Sequence, residues 1–165
     1  MTSPAPVRPA TPADHAAMLA LWERSVRATH HFLSDDEVEA LIPAVAEAFA
    51  APGLTWWVLA SGGDQPVGFL GFAGETVEAL FIDPAHIGTG GGRRLLAHAQ
   101  ALAEGRALRV EVNEQNPAAR AFYESQGFVV TGRTPTDSAG RPFPLLQMHR
   151  PAPAKGNLPD AEPGR

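Results

Sequence analysis

The chain has 165 residues, 44% of them hydrophobic, and a formal net charge of −5 from 13 basic and 18 acidic side chains. That length and composition predict a single globular domain with a sizeable core rather than a disordered chain. The lack of cysteine excludes disulfides, thiolate nucleophiles and cysteine-ligated zinc, and an acidic balance without a basic stripe speaks against nucleic acid as a partner.

The opening Met1 to Pro6 has neither the basic nor the apolar region of a signal peptide. No apolar run approaches the roughly 18 residues that cross a bilayer. Together with the missing cysteines, this reads as a cytoplasmic protein without membrane attachment.

Residues 5–8 are predicted as a short edge strand before Pro9. Thr11, Pro12 and Asp14 have the types that open a helix, as N-cap, first helical residue and acidic first turn. Met18, Leu19, Trp22 and Val26 then form one helical stripe ending near Arg27 or Ala28. Ser34-Asp35-Asp36-Glu37 is a capping-box pattern for a second helix, which Pro43 should kink or divide and Pro52-Gly53 should end. Thr55 to Ser61 and Val67 to Ala73 are predicted strands of a hairpin, and Thr76 to Ile82 is a third strand after Gly74-Glu75. A helix over 90–103 buries Leu95, Leu96, Ala99 and Leu102, and Ala107 to Val112 is the strand after it. Asn116 caps a further helix with Pro117 at its first position, and Gly127 ends it. Phe128 to Thr131 and Leu145 to His149 complete the strands. Residues 151–165, rich in Pro, Ala and Gly, are expected to be a disordered tail, leaving one domain over 5–150. The resulting order, β-αα-βββ-α-β-α-ββ, predicts an α/β (α+β) layer structure with one right-handed parallel crossover at 77–112.

The chemistry concentrates in residues 78–96. A short apolar strand stops at Asp83-Pro84, meets the cluster Gly88-Thr89-Gly90-Gly91-Gly92 and restarts as an amphipathic helix. Glycines permit positive φ and remove Cβ atoms, so a ligand can approach main-chain N–H groups. The first helical N–H groups lack intrahelical partners and sit at the positive end of the helix dipole. A pyrophosphate suits that cradle.

Three patterns in this order resemble the GNAT superfamily of acetyl-CoA-dependent N-acetyltransferases. Leu80-Phe81-Ile82-Asp83-Pro84 with Gly88-Thr89-Gly90-Gly91-Gly92-Arg93 is similar to the family's pyrophosphate loop, Arg/Gln-x-x-Gly-x-Gly/Ala. Asn113-Glu114-Gln115-Asn116 is the second pattern. Ala119 to Phe128 is similar to the family helix Ala-x-x-Phe/Leu-Tyr-x-x-x-Gly-Phe. Ser25 to Ser34 and Arg133 to Leu146 resemble a small bacterial YjaB-like subgroup, and the likeness spans about residues 7–149. One position departs: Ile87 stands where the family carries Arg or Gln, which leaves backbone N–H groups, Arg93 and Arg94 to hold the phosphates.

The resemblance implies a GNAT fold, a mixed and mostly antiparallel sheet with helices on both faces. It implies acetyl transfer from acetyl-CoA to a primary amine of a small molecule or protein, directly in a ternary complex, with no metal. The coenzyme side would be formed by Leu80, Phe81 and Ile82 as an added-strand edge, by Gly88, Thr89, Gly90, Gly91, Gly92 and Arg93 at the phosphates, and by Asn113 and Asn116. A backbone N–H near Leu80 or Phe81 would polarise the thioester carbonyl. Tyr123, the only tyrosine, would protonate the departing thiolate, or alternatively serve only as a packed aromatic. Asn116 has a second reading as a helix cap alone. Glu78 is preferred as the base for the amine, with Glu75 and Glu111 as alternatives. His30 and His31 would line the acceptor side, or else be surface and capping residues. Trp56 and Trp57 fall on opposite faces of one strand, so one belongs to the core and the other is available to wall the acceptor pocket. Two rival readings remain at this point: a non-catalytic coenzyme A-binding module of the same fold, and a Rossmann-type nucleotide domain suggested by Gly88, Gly90 and Glu111. The acceptor and the oligomeric state are open, a homodimer among the options.

Overall fold

A computed structural model describes residues 6–153 of the chain. In order these form β1 (Val7–Pro9), α1 (His15–Thr29), α2 (Asp35–Ala50), β2 (Thr55–Ala60), β3 (Pro66–Ala73), β4 (Thr76–Ile82), α3 (Gly91–Leu102), β5 (Leu108–Asn113), α4 (Pro117–Ser125), β6 (Val129–Thr134) and β7 (Leu145–Arg150). This is the order expected from the sequence. Of the anticipated C-terminal tail, residues 154–165 lie outside the described residues. No helix of the described residues is long and apolar enough to cross a membrane.

The strands make one seven-stranded sheet in the order β1-β2-β3-β4-β5-β7-β6. All neighbours are antiparallel except β4 and β5, joined in parallel by the α3 crossover. That topology is incompatible with the Rossmann alternative, which needs a mostly parallel sheet.

Helices cover both faces. Met18, Leu21, Trp22 and Val26 of α1, with Val38 and Phe49 of α2, pack against Val58, Ala60 and Phe69. On the other face Leu95, Leu96 and Ala99 of α3 and Tyr123 of α4 pack on Leu70, Val77, Leu108, Val110 and Met148. Alternation along β5 explains its place: Leu108, Val110 and Val112 are buried on this side, while Arg109 and Glu111 point to the other.

Two local expectations change. Thr11 and Pro12 open a short 3-10 turn before α1, not α1 itself, and Asp14 there accepts from both Arg8 nitrogens at 2.8 and 2.9 Å. Pro43 neither divides nor ends α2, which runs unbroken from Asp35 to Ala50. Pro43 and Glu39, whose carbonyl loses its i→i+4 donor there, both lie on the exposed side, where water can take that place.

One irregularity shapes the site. The β3–β4 register slips between Gly71 and Phe72, which face Ala79 and Val77, so Glu78 is an extra residue on β4. This β-bulge turns the strand and inverts its alternation. Val77 before it and Leu80 and Ile82 after it all serve the α3 side. β4 and β5 pair only at Thr76–Arg109 and Val77–Val110. From Glu78 onward the two strands part and leave a wedge.

Candidate active site

The wedge between β4 and β5 opens into a cleft of about 600 Å³ that runs along Leu80, Phe81 and Ile82 to Gly88 and the start of α3. Its far wall is α4, through Asn116, Ala119, Phe122 and Tyr123, and Ser25, Thr29 and His30 of α1 and its C-cap close the end nearest the wedge. The β4 edge facing the wedge has no strand partner after Val77. An extended chain laid there can hydrogen-bond to it as an additional strand does.

The strand leads directly to an uncapped helix. Gly90 precedes α3 at φ 87° and supplies no side-chain cap. The first helical bond runs from the Arg94 N–H to the Gly90 carbonyl. The N–H groups before it therefore have no intrahelical acceptor. Gly88 and Gly90 both need positive φ, and a Cβ at either would project into open space. Gly91 and Gly92 sit at close contacts instead. A Cβ on Gly91 would lie 2.7 Å from Leu59 Cδ2, and one on Gly92 3.0 Å from Phe122 Cζ. The glycine run thus has two jobs: bare amides at its start and close helix approach at its end. Arg93 lines the cleft at this corner, so a cation and a helix dipole meet at one place.

α4 contrasts with α3. Asn116 Oδ1 accepts from the Ala119 N–H at 3.2 Å and caps that helix. Asn116 is buried yet lines the cleft, which leaves its amide NH₂ free to donate there. The start of α4 thus has a side-chain cap where the start of α3 has none.

Tyr123 is buried between Phe122 and Phe128, at ring separations of 5.2 and 5.3 Å. Its ring belongs to the core, but the residue lines both the cleft and the wedge. Burial pushes the phenol pKa up, and no hydrogen bond opposes that shift. The hydroxyl is protonated at neutral pH and available as a donor.

His30 faces the same space. The Thr29 hydroxyl donates to the Ser25 carbonyl at 2.7 Å and lies 2.8 Å from His30 Nδ1. A hydroxyl spending its one proton on that carbonyl can only accept from the ring, which would put the proton on Nδ1 and the lone pair on Nε2. Desolvation, with a smaller contribution from His31, lowers the His30 pKa to about 4. The ring is a neutral acceptor. His30 also stacks near Phe32 at 5.3 Å, and Phe32 meets Phe143 at 5.6 Å, so an aromatic row links the α1–α2 connector to the segment before β7.

Glu78 and Glu111 both line the mouth of the wedge. Gln147 donates to Glu111 at 2.9 Å and holds it in place. Asn113 lines the wedge beside them.

The remaining expected residues fall elsewhere. Thr89 is turned back, its hydroxyl donating to the His86 carbonyl at 2.6 Å, and it does not line the cleft. His31 is exposed outside it. Glu75 pairs with Arg106 at 3.1 Å at the closed end of β4. Neither tryptophan walls the cleft: Trp56 packs on Phe49 and Phe69, and Trp57 on His98. Ile87 stands 58% exposed at the cleft margin. Sequence reasoning overlooked Ser25 and Gln147. Ser25 had a signal: it is a polar residue on the apolar stripe of α1, three positions after Trp22.

Comparison with known proteins agrees with this geometry. Residues 52–130 match the acetyltransferase (GNAT) domain family. The peptidyl-lysine N-acetyltransferase YjaB of Salmonella typhimurium is 45% identical over 134 residues, covering 81% of this chain and 90% of that one. The solution structure of apo YjaB from Escherichia coli superposes with a TM-score of 0.81 at 41% identity, covering 90% of this chain and 97% of that chain. The YncA acetyltransferase from Salmonella typhimurium, solved with its cofactor acetyl-CoA, gives a TM-score of 0.64 at 26% identity and covers 97% and 100% of the two chains. The wedge, the uncapped α3 and the buried tyrosine thus stand in a chain that belongs to the GNAT N-acetyltransferases.

Proposed function

We propose that the protein transfers the acetyl group of acetyl-CoA to the side-chain amine of lysine in a peptide or protein, directly, with both substrates bound. The observation that carries this reading is the unpaired β4 edge running from the Glu78 bulge into an uncapped helix N-terminus. An amide-rich arm ending in phosphates matches both parts. The lysine acceptor is supported by the 45% identical YjaB, which bears the name of a peptidyl-lysine enzyme.

The residues present fit acetyl-CoA. Leu80 to Ile82 offer backbone groups to the pantetheine arm, the free N–H groups at the start of α3 face the pyrophosphate, and Arg93 adds a positive charge. When bound, the thioester supplies an activated acetyl carbon. In the transfer a nitrogen–carbon bond forms and the carbon–sulfur bond breaks. The amine gives up a proton and the sulfur gains one.

Glu78 and Glu111 attract the lysine ammonium to the wedge, and Glu78, exposed to water, takes the proton that frees the neutral amine. The second proton, lost as the amide forms, balances the one the sulfur gains. A β4 backbone N–H and the Asn116 amide donate where negative charge develops on oxygen. Tyr123 donates to the sulfur as it leaves. Its raised pKa keeps the proton in place until a thiolate forms. Neutral His30, with Nε2 open, accepts a hydrogen bond from the incoming amine and orients its lone pair.

The test is acetyl-CoA with a peptide carrying one lysine and a blocked N-terminus, followed by thiol release and by the mass of the product. Lysine acetylation is expected, and acetyl-CoA should raise the Tm where NAD and ATP do not. Transfer only to free α-amines or small amines would overturn the lysine acceptor.

A further inference from the structure

The open face of β5, β7 and β6 beside the wedge carries charge in two rows. α1 packs on β3 and β4 and stops there. Across the strands, Thr76, Arg109 and His149 stand in register on one row. The next row, toward the wedge, holds Glu78, Glu111 and Gln147. Both rows line one cleft of about 610 Å³ that adjoins the acceptor mouth.

The rows differ in how their charges are satisfied. Glu111 is fixed by Gln147, which also donates to Thr134 at 2.9 Å. Arg109 has neither an ion pair nor a side-chain hydrogen bond among the described residues, whereas most other arginines there are paired with carboxylates. A long exposed cation stands open directly beside the carboxylates that meet the ammonium.

We propose that this face seats the acceptor peptide in extended form and selects an acidic side chain two positions from the acceptor lysine. The inference deepens the peptidyl-lysine reading and rests on it. Spacing sets the number. Arg109 and Glu111 are two residues apart on β5, about 6.7 Å along the strand. Side chains two apart on an extended peptide project to the same side at that same interval. When the lysine enters the wedge at Glu78 and Glu111, the side chain two positions on lies over Arg109. A carboxylate there completes the pair that the protein leaves open, and a second lysine meets a like charge.

Three blocked peptides, each with a single acceptor lysine and identical but for Glu, Ala or trimethyllysine two positions away, test this with the intact chain and acetyl-CoA. Because the Arg109 site is exposed, the Glu peptide should exceed the Ala peptide about threefold in kcat/KM, mostly through KM, with the trimethyllysine peptide slowest. The Glu preference should shrink as salt rises. Arg109→Glu should reverse the ranking, a gain that a misfolded variant cannot show. Equal rates for all three peptides, or an unchanged ranking in Arg109→Glu, overturn this inference and leave the lysine acceptor standing. No transfer to any peptide, with the acetyl-CoA-induced rise in Tm retained, overturns the lysine reading and this one with it.

Discussion

Removing one oxygen atom separates the two readings of Tyr123. Its ring is buried and packed on Phe122 and Phe128, while its hydroxyl faces the cleft without a hydrogen-bond partner in the protein. Tyr123→Phe keeps every ring contact and deletes only the hydroxyl, so stability should stay within about 0.5 kcal/mol of the wild type or rise slightly. Catalysis should behave oppositely. A positioned proton donor contributes roughly 10²–10⁴-fold, equivalent to about 3–5 kcal/mol of barrier. Acetyl-CoA affinity should barely move, because the hydroxyl meets the sulfur mainly as charge develops on it. Urea unfolding gives the first quantity, and steady-state thiol release with a calorimetric Kd gives the others. A stability loss above about 1 kcal/mol with turnover intact would show that the hydroxyl is a structural group and refute the donor role.

Gly90→Ala places a side chain at φ 87° where its Cβ meets nothing, so the cost is backbone strain of about 1–2 kcal/mol in unfolding free energy, together with weaker acetyl-CoA binding. Gly91→Ala meets Leu59 instead and should lose stability through packing, and equal Kd values for the two variants would contradict the division of roles between these glycines. His30 is neutral in the fold with a pKa near 4, while an unfolded histidine titrates near 6.5. The unfolded state binds more protons in that window, so stability is fully present above it and falls with pH. Between pH 7 and 5 the wild type should lose up to about 2 kcal/mol more than His30→Gln, as followed by denaturant unfolding. Parallel pH profiles for the two proteins would place the ring in water rather than in the cleft.

The element order was legible because each element carries its own chemistry. The Ser34–Glu37 capping box, Asn116-Pro117 and the glycine at 127 mark helix ends by local hydrogen bonding. The positive φ of the glycine corner was legible for the same reason, since Gly88 and Gly90 act through their own backbone. That Pro43 leaves α2 undivided was not legible, because the local penalty is set by whether its side of the helix faces water. What stayed hidden is what depends on register. Nothing in Thr76 to Ile82 announces that Glu78 is the residue left over when β4 pairs with β3. Without that bulge, neither the wedge nor the presence of Glu78 and Glu111 at one mouth can be placed. Gln147 and Arg109 were silent too: an exposed polar residue on an amphipathic strand looks the same whether it faces solvent or a partner.

The sheet is in effect two panels stitched together at two residues, Thr76 and Val77 with their partners Arg109 and Val110. The other links between the panels are the apolar layer under α3 and α4, the Glu75–Arg106 ion pair and the Phe32–Phe143 contact. An extended ligand in that gap would bridge the two panels as a further strand does. Letting the spent cargo go means unpicking that seam, so the strand geometry that grips the reactant also sets how readily the product leaves.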